Sequence, residues 1–424
     1  MIGIALFIVA MLLLFFGFPV AFTFGGVALI FGLFIDGLDM FSMMSFRITS
    51  IMTNTTLIAI PMFIFMGIVL EKAGLANKLL VSMGSLFGRL RGGLALSTIL
   101  VGMLLAATTG VVGASVVAMG IISLPVMLKY NYDKAFACGV VCTSGTLGQI
   151  IPPSIILIIL GDVMQVPVGD LFKAAIVPGV MLVLAYLAYI VVFAMIKGEK
   201  APSIGDKPTK AQVIEALKAV IPPMALILFV LGSIFAGIAT PTESSSIGAV
   251  GAVMLALMYK KLTLDIIKGA ALQTVKITSM VFAILIGATA FSMVFTYTGG
   301  DMIVEEFMTA LPAGEYGFLI ASMLIVFFLG FFLDFVEICF IVVPILGAIA
   351  LNLGVDPVWF AILIAVNLQT SFLTPPFGFS LFYLKGVVPD GVRTVDIYKG
   401  VVPFIVIQLL ILGIVLAFPN ILIG

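Results

Sequence analysis

Residues 143–154 read TSGTLGQIIPPS, and residues 367–380 read NLQTSFLTPPFGFS. Each puts hydroxyls, a glutamine and two adjacent prolines inside a run without charge, 135–161 and 357–384. Proline lacks an amide hydrogen and clashes with the preceding turn, and the residue before it avoids helical geometry. Pro152 and Pro153 therefore strip carbonyls near Leu147–Gln149 of intrahelical donors. Gly145 and Gly148 let other backbone come close. One reading is a kinked helix repaired by the hydroxyls of Thr143, Ser144 and Thr146. The other is a discontinuous helix whose freed carbonyls hold a cation and whose free amides receive an anion. A second copy of the break favours the second reading.

Around these breaks the chain reads as an all-α polytopic membrane protein. It has 424 residues, 63% hydrophobic and only 9% charged, where soluble proteins average about 25% charged. Further charge-free runs cover 1–35, 92–128, 174–196, 219–242 and 277–300, and roughly 20 apolar residues cross a bilayer. The first residues, lacking a charged n-region and a cleavage site, read as a first membrane helix. No histidine occurs, which excludes histidine-based relays, metal sites and catalytic dyads. Cys138, Cys142 and Cys339 read as core filling. Formal net charge is zero, and no nucleic-acid partner is expected.

The two halves share an order of landmarks. Pro125 and Pro344 are 219 apart; Asp133 and Asp356, and the two proline pairs, are 223 apart. DLFKAAIVP (170–178) is echoed by DIYKGVVP (396–403). Repeats over 1–196 and 219–424 are expected, joined by a cytoplasmic linker, 197–218, that holds five lysines. Lys260 and Lys261 lie on the linker side, whereas the matching pair of the first half ends at Asp36 and Asp39. Since lysine and arginine collect on the cytoplasmic side, the repeats should be inverted. Residues 75–90 read as an interfacial amphipathic helix. The run 92–128 is too long for one span and is flanked by basic residues. It fits two spans or a re-entrant hairpin, and its polar middle, ATTGVVGAS, favours a tip buried in protein. A second hairpin is expected at about 316–352. The count is about ten crossings, two re-entrant hairpins and two broken helices.

Polar groups within the membrane are costly and mark function. Asp334 and Glu337 are three apart on one helical face; Asp334 is the stronger candidate for an ion site, and Glu337 could instead be hydrogen-bonded structurally. Oxygen ligands without histidine or clustered cysteine suit a hard cation, and sodium is preferred to protons because polar oxygens outnumber titratable groups. Thr53–Thr56 read as a helix cap or as lining a path, Glu243 as a cap or as facing the substrate route, and Arg47 as a snorkelling cation or as a contact for an anionic substrate.

The stretches GVVGASVVAMG, LPVMLKYNYDKAFACGVVCTSGTLGQIIPPSIILIILG, FLDFVEICFIVVPILGAIALNLGVDPVWFA and NLQTSFLTPPFGFSLFYLKGV resemble the DctM-like large membrane subunit of tripartite ATP-independent periplasmic (TRAP) transporters, over essentially the whole chain. The resemblance implies an elevator-type secondary transporter of the bacterial inner membrane, not an enzyme, with no cofactor beyond coupling sodium. It implies a small four-helix membrane subunit, a periplasmic substrate-binding protein and a small carboxylate, a sialic acid or C4-dicarboxylate, as partners. A mobile domain from about 92–161 and 316–384 would move against a scaffold. Sodium would sit at Ser115, Gly145, Thr146 and Gly148, and at Asp334, Gln369, Thr370 and Thr374. Substrate would lie between, near Thr109, Gln149, Asn367 and Ser371. The family's Ser-Gly-Ser-like tip is here Thr109–Ser115, TGVVGAS, which blurs which hydroxyl is the ligand. The alternative is a self-sufficient sodium- or proton-coupled anion transporter of a related fold.

Overall fold

The structure, a computed structural model, describes residues 2–110, 112–205 and 208–422, apart from the side chains of residues 76, 77, 108 and 109. It is helical throughout. The first half runs α1 (Ile2–Phe15), α2 (Val20–Asp36), α3 (Met44–Met52), α4 (Ala59–Lys72), α5 (Leu75–Phe87), α6 (Gly93–Thr109), α7 (Val112–Lys129), α8 (Lys134–Thr146), α9 (Ile155–Val163) and α10 (Val168–Ile196). The second runs α11 (Lys210–Phe235), α12 (Pro241–Met258), α13 (Leu264–Tyr297), α14 (Gly300–Thr309), α15 (Gly314–Leu329), α16 (Phe335–Glu337), α17 (Val343–Asn352), α18 (Pro357–Leu373), α19 (Phe379–Lys385) and α20 (Thr394–Ala417). Among the described residues seven helices are long and apolar enough to cross a bilayer, or eight if α3 and α4, bent by 53°, form one span. The protein is thus a multi-pass membrane protein.

Local chemistry sets the helix ends. Thr240 and Glu243 close a capping box at the start of α12, with Pro241 in its first turn. Asp133 caps α8 by accepting from Phe136 N at 3.0 Å, and Asp356 caps α18 by accepting from Trp359 N at 2.8 Å. Two lengths depart from expectation. The linker 197–218 is shorter than its polar composition suggests, because α11 already begins at Lys210. Thr209 supplies its cap, with Gln212 completing the box. The helix over the charge-free run 277–300 begins thirteen residues before that run, at Leu264, where Thr263 caps it.

The start of the linker is tied down. Gly92 N donates to Ala201 O and Ile204 N to Gly88 O, both at 2.8 Å. Asp133 N donates to Lys200 O at 2.9 Å, while Lys200 Nζ pairs with the Asp133 carboxylate at 3.1 Å. Asp133 therefore serves as cap and strap together. Asp133→Ala is expected to cost about 1 kcal/mol through the cap. Lys200→Ala removes an exposed ion pair and should cost no more than about half that. Thermal unfolding of the two variants in detergent checks the order.

Helix pairs approach closely where side chains are small. A Cβ on Gly287 of α13 would meet the Ala21 backbone of α2, and one on Gly248 of α12 would come 2.8 Å from Met66 Sδ of α4. In lipid, where apolar burial gives no drive between helices, such close packing holds the bundle. The tightest contact joins α8 to α20: a Cβ on Gly139 would fall on the Gly400 carbonyl, and one on Gly400 on the Ala135 carbonyl.

Candidate functional site

The first break opens where α8 stops at Thr146. A 3₁₀ turn, Leu147–Gln149, follows, and then irregular backbone to Ser154. The Pro152–Pro153 bond is cis. Two expectations for this stretch change. The carbonyls are not all left bare: Leu147 O accepts from Ile150 N and Ile151 N, and Gln149 O accepts from Ser154 Oγ at 2.6 Å. Nor is the repair done by Ser144 or Thr146, which donate to Val141 O and Thr143 O within their own helix. The serine after the prolines does it. Among the described residues Gly148 O has no local donor, since Ile151 N is committed to Leu147 and Pro152 carries no N–H. Ser154→Ala should leave the buried Gln149 carbonyl unpaired, a cost of about 1–3 kcal/mol, read as a lower thermal midpoint.

The second break repeats these features. Helix α18 ends at Leu373, Thr374 is extended, Pro375–Pro376 is cis and α19 starts at Phe379. Ser380 Oγ donates to Phe372 O at 2.8 Å, as Ser154 does at the first break. Thr370, Ser371 and Thr374 donate to carbonyls of their own helix, Val366, Leu368 and Thr370. Their oxygen lone pairs remain available as acceptors.

The two breaks meet. Gln369 Nε2 lies 3.5 Å from Thr146 Oγ1, and both side chains are fully buried. The positions are 223 residues apart, the spacing of the proline pairs. The Thr146 hydroxyl already donates to Thr143 O, so the amide nitrogen is the donor here. The helices of the two breaks and α15 carry buried polar atoms without a partner: both amide atoms of Gln149, Gln369 Oε1, Thr143 Oγ1 and, on α15, Ser322 Oγ. A buried unpaired polar atom costs about 1–3 kcal/mol, a cost that a bound polar ligand or ion would offset. No group of three or more His, Cys, Asp or Glu comes together among the described residues. These buried atoms without a partner are amide and hydroxyl groups, whose oxygens suit a hard cation.

Each break is faced by a helix turn. Gly110, at φ +62°, ends α6, and a Cβ there would come 2.9 Å from Ile155 at the start of α9. Gly145 packs against Val116 N of α7 and Gly148 against the Ala106 backbone of α6. Val116 is the chain neighbour of buried Ser115, so the Ser115 backbone passes close to Gly145. At the second break Gly330, which ends α15, packs directly on Ser371, and the rings of Phe335 and Phe372 are 6.3 Å apart. Asp334 lies in this turn as the N-cap of α16. Its Oδ1 accepts from Phe335 N, and Glu337 Oε2 accepts from Asp334 N, both at 2.8 Å. Glu337 is thus a structural reciprocal cap. No hydrogen bond joins Asp334 to Gln369, Thr370 or Thr374 among the described residues; the link between this turn and α18 runs through the Phe335 and Phe372 rings.

Of the expected substrate contacts, Gln149 is buried with both amide atoms unpaired, and Ser371 packs against Gly330. Asn367 uses its amide nitrogen to hold Met323 O of α15 at 2.6 Å. The Thr109 side chain lies outside the described residues. One residue was missed. Tyr383 of α19 lies under the first turn, its ring 2.9 Å from where a Gly113 Cβ would be. Its only sequence signal is a lone phenol in the phenylalanine-rich stretch FGFSLFY. Nothing in that spacing relates it to residue 113.

A duplicated, interrupted helix with buried unpaired oxygens in a multi-pass bundle is the architecture of a transporter of ions or small polar solutes. Residues 7–421 match the family described as tripartite ATP-independent periplasmic transporter, DctM component, and the chain belongs to that family. It is accordingly a secondary active transporter component of the inner membrane and not an enzyme. It is 33% identical over 365 residues to the C4-dicarboxylate TRAP transporter large permease protein DctM of Pseudomonas aeruginosa, covering 86% of this chain and 84% of that one. It is 29% identical to the ectoine TRAP transporter large permease protein TeaC of Halomonas elongata, covering 96% and 95%. In fold it is similar to the Alcanivorax borkumensis YdaH transporter, with a TM-score of 0.62 at 13% identity, covering 97% and 98%.

Proposed function

We propose that this chain is the large permease subunit of a sodium-coupled symporter that imports a small organic acid. A periplasmic binding protein would deliver the acid and a small four-helix subunit would support the chain in the membrane. The observation that carries the reading is the meeting of Thr146 and Gln369, between breaks that carry unpaired buried polar atoms. Contact between positions one repeat spacing apart is what an inverted repeat with a shared central site requires. The parallel caps at Asp133 and Asp356 and the parallel serine repairs at Ser154 and Ser380 support the same duplication.

In this reading the chain makes about ten crossings, with hairpins at 92–128 and 316–352 entering from opposite sides. One sodium site forms at Ser115, Gly145, Thr146 and Gly148, the other at Asp334, Gln369, Thr370 and Thr374. Gln149, Ser371, Asn367 and Thr109 face the substrate. The hairpins and broken helices, 92–161 and 316–384, move as an elevator. The Gly139–Gly400 weld makes α20 travel with them, and so does α10, whose Tyr186 and Tyr189 stack edge-on against Phe404 of α20. Sodium favours the closed hairpins only through higher affinity for that state. Each net positive charge carried inward gains about 2.3 kcal/mol per 100 mV, so several sodium ions per acid would give accumulative uptake. Relatives named for a C4-dicarboxylate and for ectoine show that the family alone does not set the substrate. A C4-dicarboxylate or a sialic acid is proposed here.

The test is uptake of radiolabelled acid into liposomes holding the reconstituted complex and its binding protein. Uptake should follow an imposed sodium gradient. Uptake that ignores sodium and tracks a proton gradient would sink the reading. Uptake by this chain with neither partner would favour the self-sufficient alternative.

A further inference from the structure

We propose that the lysine-rich ends of α4, α5, α11 and α12 form a binding site for the headgroup of an anionic phospholipid of the cytoplasmic leaflet. A cavity of about 450 Å³ opens there, lined by Lys72, Lys78, Lys261, Ser82, Glu215 and Tyr259 among others. Three ammonium groups thus share one cavity with one carboxylate. Among the described residues none of the three lysines is in an ion pair. Converging like charges without a partner are unfavourable, and an anion in the cavity relieves them.

The cavity is built rather than incidental. Lys78 Nζ lies 4.7 Å above the Tyr259 ring, and the Tyr259 hydroxyl is fixed by donating to Lys218 O at 3.1 Å. Lys72 lies along α13, its Nζ 3.6 Å from where a Gly269 Cβ would be. The Ser82 hydroxyl and the lysine ammonium groups are donors for phosphate oxygens.

Position and surroundings select a lipid. Glu215 lies in the second turn of α11 and Tyr259 follows the end of α12. The cavity is therefore at the end of this helix pair that bears the lysine-rich linker, the side the positive-inside rule assigns to the cytoplasm. The same helices expose Val81 (68%), Leu217 (50%), Leu257 (62%) and Met258 (72%), an apolar surface on which acyl chains can lie beside the cationic cavity. Basic pockets between helices at this level hold anionic headgroups, and the leaflet is enriched in them.

Native mass spectrometry of the full chain, released from detergent doped with equal phosphatidylglycerol and phosphatidylcholine, tests the site. Wild type should retain phosphatidylglycerol in about tenfold preference. The triple variant Lys72→Gln, Lys78→Gln, Lys261→Gln should lose that preference, and the triple Lys→Arg variant should keep it. Lys78→Gln alone, expected to reduce it about fivefold, gives the same reading if the triple variant does not fold. Removing the same charge elsewhere, as Lys129→Gln, Lys210→Gln, Lys276→Gln, should leave retention unchanged. Undiminished preference in the first triple or in Lys78→Gln, or equal loss in the control triple, would overturn the proposal. Release of the lipid by millimolar inorganic phosphate would also overturn it, reassigning the cavity to a soluble anion.

Discussion

Asp334→Asn is expected to raise the sodium concentration for half-maximal uptake by about tenfold or more, with the chain still folded. The two parts of this expectation come from two roles of one side chain. As the N-cap of α16, Asp334 accepts from backbone amides, and asparagine caps about as well as aspartate. The fold should therefore tolerate the change. As an ion ligand, Asp334 supplies a full negative charge. At about 4 Å and an effective dielectric of about 20 this is worth roughly 4 kcal/mol, so losing a fraction of it gives the stated shift. Glu337→Gln makes the contrast. Its Oε2 serves the Asp334 amide, a duty glutamine performs equally in a capping box, and the sodium titration should move little. Sodium titrations of uptake in proteoliposomes decide it. An unchanged titration in Asp334→Asn removes the residue from the site.

The second large effect concerns helix packing. Gly400→Ala should lower stability by about 3 kcal/mol or more and markedly reduce the yield of folded protein. The added Cβ would fall on the Ala135 carbonyl of α8. Overpacking typically costs about 1–3 kcal/mol when side chains can shift; here the obstacle is helix backbone, which has no rotamer to change. Gly139→Ala should behave alike, since its Cβ would fall on the Gly400 carbonyl. Gly413→Ala, on the same α20 with nothing within 4 Å, is the control. It should be neutral or stabilising by up to about 1 kcal/mol. Thermal unfolding of purified protein separates the three. Similar midpoints for Gly400→Ala and Gly413→Ala would show that α8 and α20 can separate freely, and with that the idea that α20 travels with the broken helices would fail.

Much of the architecture was legible because its causes are local. A bilayer demands apolar length, and charge-free runs mark it. Proline removes a donor wherever it stands, so both breaks could be read at 152–153 and 375–376. Asp133 and Asp356 could be paired by their spacing, whereas their role as helix caps came from the structure. Glycine spacing could not be read in the same way. Gly139 and Gly400 look alike to Gly413 in sequence, and only the partner helix tells a weld from an idle position.

The site divides similarly. Residue types and breaks were visible, and so was the acid pair at 334 and 337. That Glu337 serves Asp334 as a cap depends on a backbone geometry fixed by the turn after Gly330. That Ser154, and not Ser144 or Thr146, repairs Gln149 depends on the path of the irregular backbone between Gln149 and Ser154. Tyr383 gained meaning only from Gly113, 270 residues earlier.

By itself the sequence determined a duplicated bundle of membrane helices with two interruptions. Solvation of backbone and side chains by lipid is a local requirement, paid residue by residue. Only the tertiary structure decided that the interruptions converge, with Thr146 against Gln369. Convergence depends on which helices can approach, and that is set by glycine contacts between segments more than 200 residues apart.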